Sequence, residues 1–467
     1  MADVVGLLAE IVGQAEVLTG PQIPPDYGRD ESLGTRAGLP LAVVRPGNTA
    51  EVAGVLRVAS EHCIPVTARG SGTGLSGAAV PEDGGLVVSF ERMKRVLEID
   101  TANNVAVVEP GVTLEQLNSE LESHGLFYSV FPGEASASIG GNVATNAGGM
   151  RAVKYGVTRH HVLGLEFVMV DGTVMRSGGK YVKSSTGYDL TQLIVGSEGT
   201  LALVTEITVK LHHKPGHQVT VLAPFSTLEE VTAAVPALLR SGSVPVVLEY
   251  VDALTLSAIT GAAGVDVGVP PDVKDRALAY LIVVLEDDLE QRVDEDTVVI
   301  GERLAGLGAL DVYVLPAQAG RQLIEARERA FFVAKASGAH EIVDVVVPRA
   351  AVARYMAAVA DLADEYQAFV TGCGHVGDGN VHLSVFQPDA DARESLLHAV
   401  FEKSMDLGGA ISGEHGIGRS KRHHYLQLED PAKVALLRRI KAVFDPQGIL
   451  APSNTLFEEL PDEAVAT

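Results

Sequence analysis

The sequence contains very little cysteine. Only Cys63 and Cys373 occur among 467 residues, and neither belongs to a CxxC or four-cysteine pattern. An iron–sulfur cluster held by thiolates and a disulfide framework both need more cysteines at closer spacing. The sequence therefore excludes both and fits a reducing compartment.

Basic residues are also scarce. Lys and Arg number 36 against 60 Asp and Glu, which gives a formal net charge of −24. Binding to nucleic acid needs an excess of positive charge that neutralises phosphates. The composition therefore excludes nucleic acid as a partner, while a local basic pocket for a small anion stays open.

Long apolar runs are missing as well. The longest, at 277–285, is far shorter than the roughly 20 residues that span a bilayer, and it predicts a buried strand. Residues 1–17 lack the basic start and the cleavage site of a signal peptide, and they predict a short amphipathic helix. We therefore expect no transmembrane segment and a cytoplasmic location, with peripheral attachment to the inner membrane as the alternative.

The length of the chain and a change in its glycine content predict several domains. A chain of 467 residues exceeds what one hydrophobic core usually supports. Short β-type runs and long glycine-rich loops fill the sequence to about Val209, and helices and strands alternate with fewer glycines after 214–216. The predicted helices include 113–124, with a capping box formed by Thr113 and Gln116, 318–335 and 431–444. We predict an α+β fold in four parts: an N-terminal helix and lead-in at 1–36, a first domain at 37–214, a second domain with a C-terminal helical segment at 215–456, and an acidic tail at 457–467.

The first glycine-rich loop lies at residues 64–77 and reads IPVTARGSGTGLSG. It matches GxGxxG, but the residues after it contain Pro and Gly and predict no helix, which disfavours a dinucleotide-binding βαβ motif. Successive backbone N–H groups in such a loop, beside Arg69, can bind a phosphate or pyrophosphate. A plain surface loop is the alternative.

Two further glycine-rich segments follow, at 132–149 (PGEASASIGGNVATNAGG) and 195–201 (VGSEGTL). Together with the first loop and with 154–172, they resemble the FAD-binding domain of the vanillyl-alcohol-oxidase superfamily. The resemblance implies a PCMH-type FAD-binding domain at 37–214. It also implies non-covalent FAD, because the first loop lacks the histidine that some members bond to the flavin.

The cofactor contacts that this resemblance implies lie in all three glycine-rich segments and in the strand that follows the third. They are Arg69, Gly70, Ser71, Gly72, Thr73, Gly74, Leu75, Ser76, Gly77, Pro132, Gly133, Ser138, Gly141, Asn142, Thr145, Gly148, Gly149, Glu198, Gly199 and Ile207.

Two histidine-bearing segments lie in the second domain. Residues 371–386 read TGCGHVGDGNVHLSVF, with His375 on a glycine-rich loop and His382 on an alternating strand. Residues 412–418 read SGEHGIG. Two histidines and a carboxylate suit a divalent ion with open positions for substrate; structural histidines are the alternative. The doublets at 160–161, 212–213 and 423–424 lack such loops, and we predict structural or surface roles for them.

These two segments resemble the FAD-linked D-2-hydroxyacid dehydrogenases, a family that includes D-lactate dehydrogenase, the flavin subunit of glycolate oxidase and D-2-hydroxyglutarate dehydrogenase. The resemblance implies that His415 is the catalytic base and that Arg327 binds the substrate carboxylate, with His375 and Ser384 near the substrate. It also implies a divalent metal, Zn or Mn, with these ligands: His375, His382 and Glu414.

The implied chemistry is consistent. A metal on the substrate hydroxyl lowers its pKa, and a neutral His415 can take the proton near pH 7. The hydride then passes to the flavin, because no side chain can accept it.

Two positions bear on the substrate. Ser384 stands where many relatives have Asn, and Phe331 stands where relatives specific for hydroxyglutarate carry Thr. An apolar ring there favours a small monocarboxylate, so we expect D-lactate or glycolate. The alternatives are D-2-hydroxyglutarate, a flavin-dependent transferase of the alkyl-glycerone-phosphate synthase type, and a non-catalytic subunit of a larger complex. The electron acceptor is a quinone, an electron-transfer protein or oxygen, and a homodimer is one candidate assembly.

Overall fold

The computed structural model describes residues 2–454 of the chain. The tail predicted at 457–467 and the last two residues of the domain predicted at 215–456 lie outside the described residues. Within 2–454, no helix is both long and apolar enough to cross a membrane.

The N-terminal part builds two main sheets and a short two-stranded one. Its strands are β1 Val17–Thr19, β2 Ala42–Val44, β3 Val66–Arg69, β4 Leu86–Ser89, β5 Val96–Asp100, β6 Val105–Val108, β7 Leu126–Phe127, β8 Val162–Val168, β9 Val174–Gly178, β10 Leu203–Lys210 and β11 His212–His213. Its helices are α1 Ala2–Val12, α2 Thr49–Glu61, α3 Leu114–Glu122, α4 Ile139–Thr145, α5 Ala152–Tyr155 and α6 Leu190–Ile194.

The two main sheets of this part differ in strand direction. The first has the order β1-β2-β4-β3, in which β2, β4 and β3 run parallel. The second has the order β5-β6-β10-β8-β9 and is antiparallel throughout. α1 and α2 pack on the first sheet around Leu8, Val55 and Leu86, all fully buried. The glycine-rich loop at 70–77 follows β3 directly and is therefore held at the end of this sheet.

The C-terminal part contains one large sheet and most of the helices. Its strands are β12 His217–Phe225, β13 Val247–Asp252, β14 Ala279–Asp287, β15 Tyr313–Leu315, β16 Glu341–Val346, β17 Phe369–Gly374 and β18 Asn380–Phe386. Its helices are α7 Leu228–Leu239, α8 Ala253–Ala263, α9 Pro271–Lys274, α10 Glu290–Gly306, α11 Ala317–Glu328, α12 Ala330–Ala336, α13 Val352–Glu365, α14 Ala390–Asp406, α15 Arg422–Leu428 and α16 Pro431–Phe444.

The large sheet is antiparallel with the order β15-β12-β14-β13-β17-β18-β16. The interior strand β14 is covered on both faces: Leu281 and Val283 pack in one core, and Tyr280 and Ile282 pack in another. Burial on both faces explains why the sequence here is a continuous apolar run and does not alternate.

The end of the described chain returns to the N-terminal part. The N–H of Val66 on β3 donates to the carbonyl of Ile449 at 2.8 Å, and the N–H of Ala451 donates back to the carbonyl of Val66 at 2.7 Å. Nζ of Lys441 on α16 donates to the carbonyl of Thr200 at 2.7 Å. The C-terminal helical segment therefore joins the two parts of the chain.

Local signals in the sequence were accurate in some places and wrong in others. The helix predicted at 431–444 has those bounds, and the Thr113 hydroxyl caps α3 by accepting the N–H of Gln116 at 3.1 Å. One helix predicted at 318–335 is wrong, because the chain leaves helical geometry at Arg329 and forms α11 and α12. The segment at 132–149, expected to be loop, contains the short helix α4.

Candidate active site

Two paired strands of the large sheet bring His375 and His382 together, and the 412–418 loop places Glu414 beside both. β17 and β18 pair with Cys373 opposite His382, so the turn between them returns His375 to the same end of the sheet. The imidazole rings of His375 and His382 lie 4.9 Å apart. Oε1 of Glu414 lies 3.2 Å from Nε2 of each ring. Three ligand-type side chains from the two histidine-bearing segments therefore meet at one point.

A buried carboxylate on β13, Glu249, contacts this group from the adjacent strand. Its Oε1 lies 2.6 Å from Nδ1 of His375, and its Oε2 lies 2.7 Å from Nη2 of Arg327. Burial alone would lower the pKa of His375, but Glu249 and Glu414 outweigh it and raise that pKa well above its usual range. One carboxylate thus orients both a candidate metal ligand and the candidate substrate-binding arginine.

The 412–418 loop folds around a second buried carboxylate, Asp344 on β16. Oδ2 of Asp344 accepts the backbone N–H groups of Gly413, Glu414 and His415 at 3.0, 3.1 and 2.9 Å. Burial would raise the pKa of Asp344, but the positive groups around it hold that pKa well below its usual range. An ionised Asp344 therefore fixes the backbone that carries Glu414 and His415.

The N-terminal part holds the same loop from the opposite side. The Glu198 carboxylate accepts the N–H of Ile417 through Oε1 and that of Gly418 through Oε2, both at 2.8 Å. The Ser76 hydroxyl donates to the carbonyl of His415 at 2.9 Å. The loop therefore lies where the two parts of the chain meet.

The side chain of His415 has a different environment from the other two histidines. Its Nδ1 lies 4.0 Å from Oδ2 of Asp344, and its ring lies 5.0 Å from that of His382. Burial lowers the pKa of His415 to about 4. Its imidazole is therefore neutral near pH 7, which is the state that can accept a proton.

Two cavities meet at this loop. The first, of about 190 Å³, lies between the glycine-rich segments of the N-terminal part. The second, of about 420 Å³, lies against β17, β18, α8 and α12. Both are lined by Leu75, Pro132, Glu414 and His415. A ligand in either cavity would therefore contact the 412–418 loop.

Two families match this chain in sequence. Residues 40–178 match the family described as FAD binding domain, and residues 214–455 match the family described as FAD linked oxidases, C-terminal domain. The chain belongs to the FAD-linked oxidase family.

Relatives of this FAD-linked oxidase cover nearly its whole length. It is 52% identical to an uncharacterized FAD-linked oxidoreductase of Mycobacterium tuberculosis, over 97% of this chain and 98% of the relative. It is 37% identical to the glycolate oxidase subunit GlcD of Bacillus subtilis, over 92% and 91% of the two chains. It is also 37% identical to a D-lactate dehydrogenase of Archaeoglobus fulgidus, over 93% and 96%.

Solved structures agree on the fold. p-Cresol methylhydroxylase superposes with a TM-score of 0.77 at 19% identity, over 98% of this chain and 97% of that one. Alkyldihydroxyacetonephosphate synthase superposes with a TM-score of 0.76 at 17% identity, over 97% and 86%. The predicted family is confirmed, as are the enzyme class and the α+β fold with a PCMH-type FAD-binding domain followed by a second domain.

The structure separates the predicted cofactor contacts into three groups, and their roles stay predictions. The first cavity is lined by Gly70, Ser71, Gly72, Thr73, Gly74, Leu75, Pro132, Ser138, Gly141, Asn142, Thr145, Glu198 and Gly199. Gly133 lines the second cavity. Six predicted contacts line neither cavity: Arg69, Ser76, Gly77, Gly148, Gly149 and Ile207.

Arg69 and Ile207 show what these outer residues do in the fold. Nη1 of Arg69 donates to the carbonyl of Arg29 at 2.7 Å, and its guanidinium lies 5.6 Å from the centre of the Tyr27 ring. Ile207 is fully buried on β10, opposite Val108 and Leu165. Both side chains therefore support the walls of the first cavity and do not line it.

The lining of the first cavity fits a large polar cofactor such as FAD. Nδ2 of Asn142 is buried there without a hydrogen-bond partner in the described chain, so it has a donor to offer a ligand. A Cβ built on Gly74 would meet only Oδ2 of Asp30 within 4 Å, and one built on Gly199 would meet only Cβ of Ala68, both at 3.6 Å. These glycines therefore leave open room beside the backbone.

The predicted substrate residues all line the second cavity. Arg327 is buried, and its Nε and Nη2 have no hydrogen-bond partner among the described residues; the contact with Glu249 is close but lacks hydrogen-bond geometry. Ser384 lies two residues beyond His382 on the same face of β18. Phe331 lines the opposite wall from α12.

The histidine doublets lie elsewhere. His161 and His212 contact each other in the N-terminal part, with ring centres 5.2 Å apart. His423, His424 and Glu394 also bring three ligand-type atoms close together, but the side chains of Glu394 and His423 are 53% and 49% exposed. The predicted structural or surface roles stay predictions.

Sequence reasoning missed Glu249, Asp344 and Lys421. The first two had a usable signal, because each is a carboxylate flanked on both sides by apolar residues, in VVLEYV and in IVDVVV. Such residues are rarely buried unless they are paired, so their position marks a site. Lys421, whose Nζ donates to Asp344 at 3.3 Å, had none.

Proposed function

We propose that this FAD-linked oxidase converts a D-2-hydroxy monocarboxylic acid into the 2-oxo acid, with D-lactate and glycolate as the substrates that the sequence favours. The observation that carries the proposal is the position of His415. This neutral imidazole lies where the two cavities meet, beside a buried arginine and a histidine–carboxylate cluster.

Arg327 anchors the substrate carboxylate. Its guanidinium is buried, lines the second cavity and has unpartnered N–H groups. A carboxylate accepts paired hydrogen bonds from such a group. Glu249 holds the guanidinium in place and keeps it charged, since its oxygen lies 2.7 Å away.

His375, His382 and Glu414 would hold the divalent ion, zinc or manganese. Nε2 of His382 is buried without a hydrogen-bond partner in the described chain, which suits a metal ligand. The three carboxylates that contact the histidines are Glu249, Asp344 and Glu414, and among the Lys and Arg residues of the described chain only Arg327 and Lys421 form salt bridges with them. A metal ligand is a neutral imidazole, so with a substrate carboxylate added the site carries two negative charges, which a divalent ion neutralises. When bound, this ion would polarise the substrate hydroxyl.

His415 removes the hydroxyl proton. Its Nδ1 faces Asp344, so Nε2 is the nitrogen left to accept the proton. Asp344 then stabilises the imidazolium that forms, because it is ionised and lies against the same ring. The oxidation removes this proton and the hydrogen on C2 with its electron pair, and bound FAD supplies the acceptor for that pair. A quinone, an electron-transfer protein or oxygen would reoxidise it.

Two alternative functions have less support. A second carboxylate, as in D-2-hydroxyglutarate, calls for a second cation, and among residues 2–454 Arg327 is the only Lys or Arg that lines the second cavity. A transferase of the alkyl-glycerone-phosphate synthase type shares the fold. The transfer reaction involves no net oxidation, so it does not need a catalytic base beside a cluster of metal-ligand side chains.

Anaerobic titration of the purified holoenzyme tests the proposal. D-Lactate or glycolate should bleach the oxidised flavin absorbance, and the product should be pyruvate or glyoxylate in equal amount to the flavin reduced. D-2-Hydroxyglutarate should bleach it at least about tenfold more slowly, since its second carboxylate would be desolvated without a partner. A flavin that stays oxidised with every 2-hydroxy acid would refute the proposal.

A further inference from the structure

The second cavity is much larger than D-lactate or glycolate requires. Its volume of about 420 Å³ falls in the range of pockets that enclose ligands of drug size, roughly 300–1,000 Å³. The part of this space beside Leu75, Pro132 and Gly133 adjoins the first cavity and would receive the flavin ring. A molecule of two or three carbons at the histidine cluster would leave the part along β17, β18 and α8 without a ligand group.

The β17–β18 hairpin shows how the lining changes along the cavity. Cys373 pairs with His382, Thr371 with Ser384, and Phe369 with Phe386. His382, Ser384 and Phe386 project from the same face, because side chains alternate along a strand. At about 3.3 Å per residue, Phe386 lies about 13 Å from His382. The floor of the cavity therefore passes from polar groups at the catalytic end to two phenyl rings at the other.

The opposite wall is apolar as well. α8 contributes Leu254, Ala258 and Ile259, and α12 contributes Phe331 and Val333. Positions 254 and 258 are one helical turn apart and share a face of α8. The two helices pack against each other, so their apolar faces form one continuous wall over the hairpin.

Of the residues described, the Lys, Arg, Asp and Glu residues of the lining are Arg327, Glu328 and Glu414, and Glu249 pairs with Arg327 from outside it. The part of the hairpin beyond Ser384 and the faces of α8 and α12 contribute no charged side chain to the lining. At the end away from the catalytic residues, the rings of Phe369 and Phe386 lie 5.5 Å apart. A substrate with its carboxylate on Arg327 and its hydroxyl near His415 would extend its side chain toward these rings.

We propose, on the basis of the function above, that this cavity selects D-2-hydroxy acids with a long apolar side chain, either a hydrocarbon chain of about four to six carbons or a chain that ends in a phenyl ring. The carboxylate and the hydroxyl bind at the catalytic end, and the hydrocarbon replaces water along the hairpin. Lactate and glycolate are then poor substrates of the same reaction.

A chain-length series tests this assignment. Anaerobic flavin reduction is measured with glycolate and with D-2-hydroxy acids of three, four, six and eight carbons, and with D-3-phenyllactate. Burial of one methylene is worth about a fourfold change in equilibrium binding, so kcat/KM should rise at least about 30-fold from D-lactate to D-2-hydroxyhexanoate, mainly through KM. Equal or falling kcat/KM with chain length overturns the inference and leaves the proposed function standing. No reduction by any member refutes both.

Two variants on α8 locate the effect. Ala258→Phe places a ring in the cavity and should lower the ratio of kcat/KM for D-2-hydroxyhexanoate over D-lactate at least about tenfold. Ser257→Phe adds the same ring one residue earlier, at an exposed position outside the lining, and should leave the ratio within about twofold of the wild type. If Ala258→Phe leaves the ratio unchanged while the flavin spectrum and the melting temperature stay those of the wild type, this wall does not hold the side chain.

Discussion

Two pairs of histidines in this molecule have similar ring contacts, but their pKa values are shifted in opposite directions. His161 and His212, in the N-terminal part, have ring centres 5.2 Å apart; His375 and His382, in the C-terminal part, have ring centres 4.9 Å apart. Burial lowers the pKa of His161 and of His212 to about 4. In the second pair burial acts in the same direction, but the carboxylates outweigh it and raise both pKa values.

The difference lies in the neighbours. In the described chain, no carboxylate oxygen comes within 4 Å of a ring nitrogen of His161 or His212, whereas Glu249 and Glu414 contact His375. Tyr128 and Tyr155 surround the first pair with aromatic rings instead. Proximity of two imidazoles is therefore no sign of a ligand site by itself; the carboxylates that orient the rings make the difference.

The strongest test of this comparison removes one histidine from each pair. His375→Ala should abolish metal binding, measured by elemental analysis, and should slow anaerobic flavin reduction by roughly a thousandfold or more, because Lewis-acid assistance is worth several kcal/mol. The flavin absorbance should be retained. His212→Phe, the matched control, should keep the metal content and reduce the flavin within about twofold of the wild-type rate. A His375→Ala protein with wild-type metal content would contradict the ligand assignment.

A smaller effect is expected from the carboxylate that holds the 412–418 loop. Asp344→Asn keeps the shape of the side chain but removes the charge that binds three backbone N–H groups and faces His415. Loss of such a supporting partner typically costs about 10- to 100-fold in activity or metal affinity, and we expect that loss in the flavin reduction rate with kcat affected more than KM. Asp361→Asn, at an exposed position on α13, should have no effect. A reduction rate within twofold of the wild type would show that Asp344 does not position the base.

The smallest effect concerns stability in acid. The pKa of His161 is about 4 in the folded chain and about 6.5 when exposed, so the folded state favours the neutral ring. The contribution of neutral His161 to the free energy of unfolding is fully present above pH 6.5 and is lost as the pH falls toward 4. The free energy of unfolding should therefore fall by about 2 kcal/mol between pH 7.5 and 5. His161→Phe cannot take up this proton. Its melting temperature should therefore fall less than that of the wild type over this range, and an equal fall in both proteins would show that His161 is not the group that titrates.

Much of the fold could be predicted from the sequence because its signals are local. The apolar run at 277–285 gave a buried strand, Thr113 gave a helix cap, and the polar–apolar alternation at 381–386 gave the correct faces of β18. The break between α11 and α12 could not be predicted, because Arg329 leaves helical geometry within residues 321–335, which contain no Gly or Pro.

The sequence by itself determined the candidates for the proposed chemistry: His375, His382, Glu414 and His415 lie on two short glycine-rich segments whose residue types suit a metal and a base. Only the tertiary structure decided which carboxylates contact these residues. Glu249 and Asp344 are distant in sequence from the groups they contact, and strand order and register bring them there. Because burial and carboxylates act in opposite directions on an imidazole, that arrangement decides whether the pKa of each histidine is raised or lowered.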